Sequence, residues 1–497
     1  MSHPSVDRRQ AIALLAAVPA VLNSSLITAA ETTSSPSAAS PTQITDTLAE
    51  FIVGARTARM PEQHRELGRQ HLLDTLASIV ACRDLEPSVL ARKFAHAQSG
   101  SISSNAATML GTKQKAALTD AVFASAMTGH GAEINDFIPS AFVQPGPAIV
   151  SAALALAETR GGTGDALLRA VIVGYEFAGR VPKAVGVSNL RTAGIANHGV
   201  GPVFGTATAA ASMIGLPRER IGDLLTFSAQ QASGSWQWLM DVEHIEKAFV
   251  FAGMGARNGM HAALMVEAGF RGVRNAFDHP DGWLRAGAFA KGDSNPTYLI
   301  EKLGERSELP ETAFKRYPVG GPTQPAVHGL LQMLPKIDRN NVQSVRIEMP
   351  GRWQAFRDAA MPALNLRYLS AIILIDGKLD FVAAQSLERM ASDAKARALM
   401  ERVSIVHDPA QEAPRGSPRT ESARVIVVEN GGEKHEIYVP YVVGFPSHPM
   451  TREDVKAKAL DLMSPRLGST RAQQVVDRVM AIEKLERAAD LVGMIAT

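Results

Sequence analysis

Ile149-Val-Ser-Ala-Ala-Leu-Ala-Leu-Ala-Glu158 decides the fold class. Its apolar residues recur at three- and four-residue spacings, the period of a helix, and its alanines let neighbouring helices approach closely. The same texture repeats outward from it, in Thr45-Asp-Thr-Leu-Ala-Glu-Phe-Ile52, Gly68-Arg-Gln-His-Leu-Leu-Asp-Thr-Leu76 and Ala116-Ala-Leu-Thr-Asp-Ala-Val-Phe-Ala-Ser-Ala-Met127, with short Gly- or Pro-containing turns between. Residues 44–272 are therefore expected to form a compact helical domain. After Gly272 the period changes. Val342-Gln-Ser-Val-Arg-Ile-Glu-Met349 and Ala423-Arg-Val-Ile-Val-Val-Glu-Asn430 alternate apolar and polar residues, and Asn430-Gly-Gly432 before Lys434-His-Glu-Ile-Tyr-Val439 is a hairpin signal. Residues 273–445 thus read as a smaller α+β domain with an antiparallel sheet. Thr451-Arg-Glu-Asp454 supplies an N-cap and an acidic first turn, which returns residues 446–497 to helix.

A chain of 497 residues has room for two cores. Its net charge of +2, without a sustained Lys/Arg block, argues against a nucleic-acid partner or a basic membrane-binding face and leaves a small molecule as the expected ligand. Cys82 is the single cysteine, which excludes an intramolecular disulfide, a Cys-ligated zinc site and an iron–sulfur cluster. It ends the apolar run His71-Leu-Leu-Asp-Thr-Leu-Ala-Ser-Ile-Val-Ala-Cys82 and reads as a buried structural thiol.

Arg8-Arg9 stands directly before the apolar stretch Ala11 to Leu22, and Thr28-Ala-Ala30 offers the small residues a signal peptidase prefers. Residues 1–30 match a twin-arginine signal peptide, so the expected location is periplasmic or exported. The apolar stretch is too short to leave a membrane anchor in the mature form. Residues 31–43, rich in Ser, Thr, Pro and Ala, read as a flexible linker.

Several segments, in order and across nearly the whole mature chain, resemble the 2-methylcitrate dehydratase (MmgE/PrpD) family. They are Gly129-His130-Gly-Ala-Glu133-Ile-Asn135-Asp136-Phe137 running on to Gln144-Pro145, Val173-Gly-Tyr-Glu176-Phe-Ala-Gly-Arg180, Asn197-His198-Gly199, Glu246-Lys247 through Arg257-Asn258-Gly259, Phe314-Lys315-Arg316-Tyr317-Pro318, Arg367-Tyr-Leu-Ser370 and Gly444-Phe-Pro-Ser-His-Pro449. The resemblance implies a mainly α protein: a large all-helical domain, completed by the C-terminal helices, with an inserted smaller α+β lid domain, usually as a homodimer. It also implies chemistry beside a carboxylate of a small di- or tricarboxylic acid, performed without cofactor or metal. Dehydration or decarboxylation by a lyase is the expected reaction. An epimerase or isomerase of a dicarboxylate, and a catalytically silent carboxylate-binding protein, stay open.

Such chemistry requires a general base, a general acid and cations for the substrate carboxylates. His130, Glu133 and Asp136 follow a helix within seven residues and are placed to converge at its end. His198 sits in a glycine-containing turn before a helix, at a family histidine position, and is the first choice for acid/base work. His244 and Lys247 share a face at three-residue spacing. With Tyr317, the expected catalytic set is His198, Lys247, His130, Glu133, Asp136 and Tyr317, and the expected substrate-binding set His244, Arg257, Gln144 and Lys315. The chain departs from the commoner family pattern at Glu133, Asn135, Phe137, Gln144, Phe251 and Gln324, three of which, Gln144, Phe251 and Gln324, stand where histidine is expected. Gln and Phe cannot titrate, so the proton-transfer scheme of the methylcitrate enzymes does not transfer directly.

Overall fold

The computed structural model describes residues 43–100, 105–285, 289, 292–414, 417 and 421–497. The expected signal peptide and nearly all of the expected linker lie outside them. Where the sequence carries the 3.6-residue period, helices form: Ile44–Gly54, Glu62–Cys82, Glu86–Gln98, Leu118–Gly129, Gly146–Arg160, Gly164–Val185, Asn197–Ile214, Ile221–Gln231 and Met254–Glu267. Gly146–Arg160 is the innermost kind, with every residue from Gly146 to Ala157 buried. Helix Asn197–Ile214 packs across Gly164–Val185 and Met254–Glu267 through a run of Gly, Ala and Thr. The small side chains permit this approach: a methyl group on Gly174 would come within 2.9 Å of the Gly205 carbonyl.

The helix expected from Ala116 starts two residues later. Lys115–Ala117 (β2) pairs antiparallel with Ala106–Thr108 (β1), so the first two alanines of that run serve a ladder. At the C-terminus, Thr451 caps Arg452–Leu467 in a reciprocal capping box with Asp454. That helix and Ser469–Met480 pack on Glu62–Cys82, so residues from both ends of the described chain share one apolar core.

A second sheet occupies the later part of the chain. Val342–Met349 (β3), Val403–His407 (β4), Ala423–Glu429 (β5) and Lys434–Val439 (β6) lie in the order β4-β3-β5-β6. The expected β5–β6 hairpin is present, and β3 runs antiparallel to β5. The sheet is mixed, however, because β4 pairs parallel to β3. A parallel neighbour needs a crossover, here supplied by the helical stretch from Leu366–Asp376 to Ala394–Met400. Strand β5 alternates buried and half-buried residues, and helix Gln324–Met333 lies over β5 and β6, closing a separate core from Val319 to Val427. The chain is thus mainly helical with a small sheet region, and Gln43–Thr497 is one compact unit by its contacts. No helix among the described residues is long and apolar enough to cross a membrane. Cys82 is free and buried, and burial pushes its thiol up to about 12, which silences it as a nucleophile at neutral pH.

Candidate active site

Helix Leu118–Gly129 ends at His130, and the chain then turns through a loop whose residues are almost all buried. The loop's backbone is held by pairing Phe137 with Ala313 in both directions, at 3.0 and 2.7 Å, and Ile138 N–H with the Val143 carbonyl at 2.7 Å. This splits three neighbours in sequence. Glu133 faces one side and Asp136 the other.

Glu133 is 3% exposed and lies between two buried ammonium groups. Lys247 Nζ donates to Oε1, and Lys315 Nζ stands 2.9 Å from Oε2. Burial pushes the Glu133 carboxyl up, but Lys247 and Lys315 outweigh it and hold the group well below the ordinary carboxylate range. Lys247 is lowered from its ordinary value by burial, with Glu133 opposing. The arrangement is an ionised carboxylate beside an ammonium that gives up its proton more readily than an exposed lysine.

Lys247 reaches this position through an irregular segment. His244 adopts a left-handed conformation, φ 64°, before the short helix Ile245–Ala248, and a π-helical turn, Phe249–Gly253, follows. Such turns re-aim side chains and cluster at functional sites. The π turn places Phe251 with its ring stacked on His198 at 3.9 Å and on His130 at 4.9 Å, and Lys247 Nζ lies 5.3 Å from the same ring centroid. Phe251, at a position where histidine was expected, therefore acts as the wall between the acid/base groups.

His198 stands in the first turn of Asn197–Ile214, 5% exposed, with its ring edge-on to Trp238 at 5.0 Å. Its Nδ1 donates to Gln144 Oε1 at 2.9 Å. An amide oxygen only accepts, so the neutral ring carries its proton on Nδ1 and proton exchange runs through Nε2. Gln144, the other replaced histidine in this region, thus sets a tautomer.

Glu133, Gln144, His198, Lys247 and Lys315 all line one cavity of about 520 Å³, together with Phe137, Phe142, Phe251, Trp236, Trp238, Arg191, Arg352 and Met361. Its walls come from the helical part and from the stretches on either side of β3. Phe142, in the lining, carries φ 54°, in the left-handed region. Arg191, Trp236, Trp238 and Arg352 were not among the residues singled out in the sequence. The signal available was Trp236-Gln-Trp238, which places two of the four tryptophans in three residues, shortly after Gly234.

The other expected site residues lie outside the lining. His130 and His244 sit directly behind it, their rings 5.1 Å apart. Asn135 donates from Nδ2 to the Asp136 carbonyl at 2.9 Å, which turns its Oδ1 toward His130 Nδ1 at 2.6 Å. The Nε2 atoms of both histidines are buried without a hydrogen-bond partner. Burial drives the His130 imidazole well below 6.5, and His244 down to about 4, with neighbouring His244 or Lys247 adding to the effect. Potential ligand atoms of His130, Glu133 and His244 lie within 4.8 Å of one another. Both Glu133 oxygens already face lysines, so a cation there would have to displace Lys247 or Lys315.

Asp136 belongs to a second buried cluster. Its Oδ2 accepts from Tyr175 Oη at 2.5 Å and lies 2.9 Å from His71 Nδ1, while Asp74 pairs with Lys458 at 2.6 Å nearby. Tyr317 donates or accepts with His328 Nδ1 at 2.8 Å and packs against the β3–β6 core. Gln324, the third replaced histidine, accepts from Tyr317 N–H and donates to the Tyr317 and Val319 carbonyls. Arg257 is half-buried on Met254–Glu267, with Nε 3.4 Å from Asn258 Oδ1.

Two expectations follow from this packing. In the unfolded chain, histidines take a proton below about 6.5. The folded chain refuses one at His244 until about pH 4. Stability therefore falls as pH drops from 6.5 toward 4, and Glu133 adds to the loss below the ordinary carboxylate value. Thermal melts across this range should show the decline. His244→Asn, which tolerates the left-handed backbone, should flatten it, and an unchanged slope would contradict the assignment. Gly146→Ala should destabilise by about 1–3 kcal/mol in a denaturant melt. The added methyl would stand 2.7 Å from Tyr175 Oη and 2.8 Å from Asp136 Oδ1, with Thr75 Oγ1 closer still.

Comparison with known proteins places this geometry in context. Residues 46–294 match the MmgE/PrpD N-terminal domain, and residues 317–482 match the MmgE/PrpD C-terminal domain. The chain is similar to the cis-aconitate decarboxylase-like protein oryM of Aspergillus oryzae, 26% identical over 423 residues that cover 77% of this chain and 82% of the relative. It is also similar to the cis-aconitate decarboxylase of Aspergillus terreus, 23% identical over 419 residues, 76% of this chain and 80% of the relative. With both family domains matched in order over most of its length, the chain belongs to the MmgE/PrpD family.

Proposed function

We propose that the protein is a cofactor-independent lyase that removes a carboxylate from an unsaturated tricarboxylic acid of the cis-aconitate type. The observation that carries this reading is the ionised Glu133 bridging two buried lysines in an aromatic-walled cavity, with His198 across the Phe251 ring. The relatives' names support the choice of decarboxylation over dehydration. The stretch 273–445, which contributes Lys315, Arg352 and Met361 to the cavity, acts as the lid over it.

In the proposed reaction the carbon–carbon bond to the departing carboxylate breaks. Its electron pair moves through the allylic system, a proton is delivered to the carbon that receives the pair, and carbon dioxide leaves. The aromatic wall of Trp238 and Phe251 supports bond breaking, because a carboxylate stripped of water is favoured to lose its charge as neutral carbon dioxide. Lys247, with its lowered proton affinity, is placed to supply the proton, and His198 to relay one through Nε2.

The test incubates the full chain with cis-aconitate and with hydroxy-tricarboxylates in deuterated water and follows products by NMR. The expected result is carbon dioxide and a deuterated unsaturated dicarboxylate from cis-aconitate. Alkene formation from a hydroxy acid with all three carboxylates retained would replace this reading with a dehydratase. Deuterium exchange without either product would indicate an epimerase, and binding without turnover a silent binding protein.

A further inference from the structure

The cations deepest in the cavity are already engaged. Lys247 and Lys315 both point at Glu133, so the inner array presents one net positive charge to a substrate that carries several negative ones. Two further guanidinium groups, Arg191 and Arg352, line the same cavity from the exposed side. Neither meets a carboxylate among the described residues. The acidic groups beside them are taken up elsewhere. Asp358 is held by the Arg357 guanidinium at 2.5–2.9 Å, and Asp241 accepts the backbone N–H groups of Glu243 and Lys247 at 3.0 and 2.8 Å.

Arg191 is also placed. Its guanidinium carbon lies 5.0 Å from the Trp236 ring centroid, and that ring meets His198 edge-on at 5.6 Å. Stacking on an indole restrains an arginine without neutralising it, which leaves its planar set of donors for a ligand carboxylate. Arg191 comes from the short helix Val187–Thr192, and Arg352 from the turn after β3, so the cavity is flanked by one free guanidinium from each part of the fold.

We propose that Arg191 and Arg352 are the specificity-determining residues of this cavity, holding the substrate carboxylates that do not react and selecting tricarboxylates over dicarboxylates. The inference rests on the decarboxylase reading for its substrate class but concerns binding alone. Arginine matches a carboxylate with two parallel N–H···O bonds, and such charge-assisted bonds carry more affinity than neutral ones.

The test measures calorimetric binding of propane-1,2,3-tricarboxylate, which has no double bond to react across, and of glutarate, which lacks one carboxylate. Arg191→Gln and Arg352→Gln should each weaken tricarboxylate binding by about 10- to 100-fold and glutarate binding by clearly less. Arg191→Lys and Arg352→Lys should recover part of the loss. Unchanged tricarboxylate binding in both Gln variants overturns the proposal, as does an equal loss for the two ligands. If the wild type binds the tricarboxylate in an arginine-dependent way yet does not decarboxylate cis-aconitate, the clamp stands and the reaction assignment fails. If the wild type binds neither acid, both fail.

Discussion

Replacing His198 by alanine is expected to lower kcat on the accepted tricarboxylate by about 10²- to 10⁴-fold, the usual worth of a positioned acid/base group. The expectation rests on three contacts. Gln144 commits the Nδ1 proton, Phe251 stacks on one ring face at 3.9 Å, and Trp238 meets the ring edge at 5.0 Å, so the imidazole has one orientation and one nitrogen for proton exchange. A ring held this way contributes orientation as well as basicity, which is why the loss should fall on kcat. His198→Gln, closer in volume, separates chemistry from packing: it should keep the melting temperature nearer the wild-type value and still lose the rate. A kcat within threefold of wild type in both variants would remove His198 from the mechanism.

The second large effect concerns stability. Glu133→Ala leaves the ammonium groups of Lys247 and Lys315, 5% and 2% exposed, without their shared counter-charge. Breaking a buried ion pair from one side costs about 3–5 kcal/mol, because the orphaned charge stays buried. The measurement is a denaturant melt at pH 7, where Glu133 is fully ionised in the folded chain. Adding Lys247→Met to Glu133→Ala should restore part of the loss, since it removes one of the two stranded charges, and this non-additivity identifies the pair. Destabilisation below about 0.5 kcal/mol for Glu133→Ala would mean that the lysines find other partners or lose their protons without penalty.

Both effects originate in a loop that sequence reading located but could not orient. His130, Glu133 and Asp136 were expected to converge at a helix end. They do stay close along the chain, yet the pairing of Phe137 with Ala313 directs Glu133 to the cavity and Asp136 to Tyr175 and His71. The three replaced histidines separate in the same way. Gln144 orients His198, Phe251 forms a wall, and Gln324 satisfies backbone groups of Tyr317 and Val319 without itself lining the cavity. A substitution at a family position says which group is missing. What the newcomer does depends on what it touches.

The sequence by itself determined the local order of this protein. Helical period marked Gly146–Arg160 and its neighbours, alternation marked β3 and β5, a hairpin signal marked β6, and Thr451 with Asp454 marked the start of a C-terminal helix. These features depend on residues a few positions apart, which is why they are legible in a single chain. Five-residue β4 was missed because so short a strand carries too little alternation to stand out, and β2 because its two alanines read equally well as helix. Tertiary structure alone decided that Glu133 meets Lys247 and Lys315, residues 114 and 182 positions away, and that Trp236, Trp238, Arg191 and Arg352 enclose them. Burial and charge pairing at such separations arise only when the chain has closed on itself, and they turn common residue types into a site.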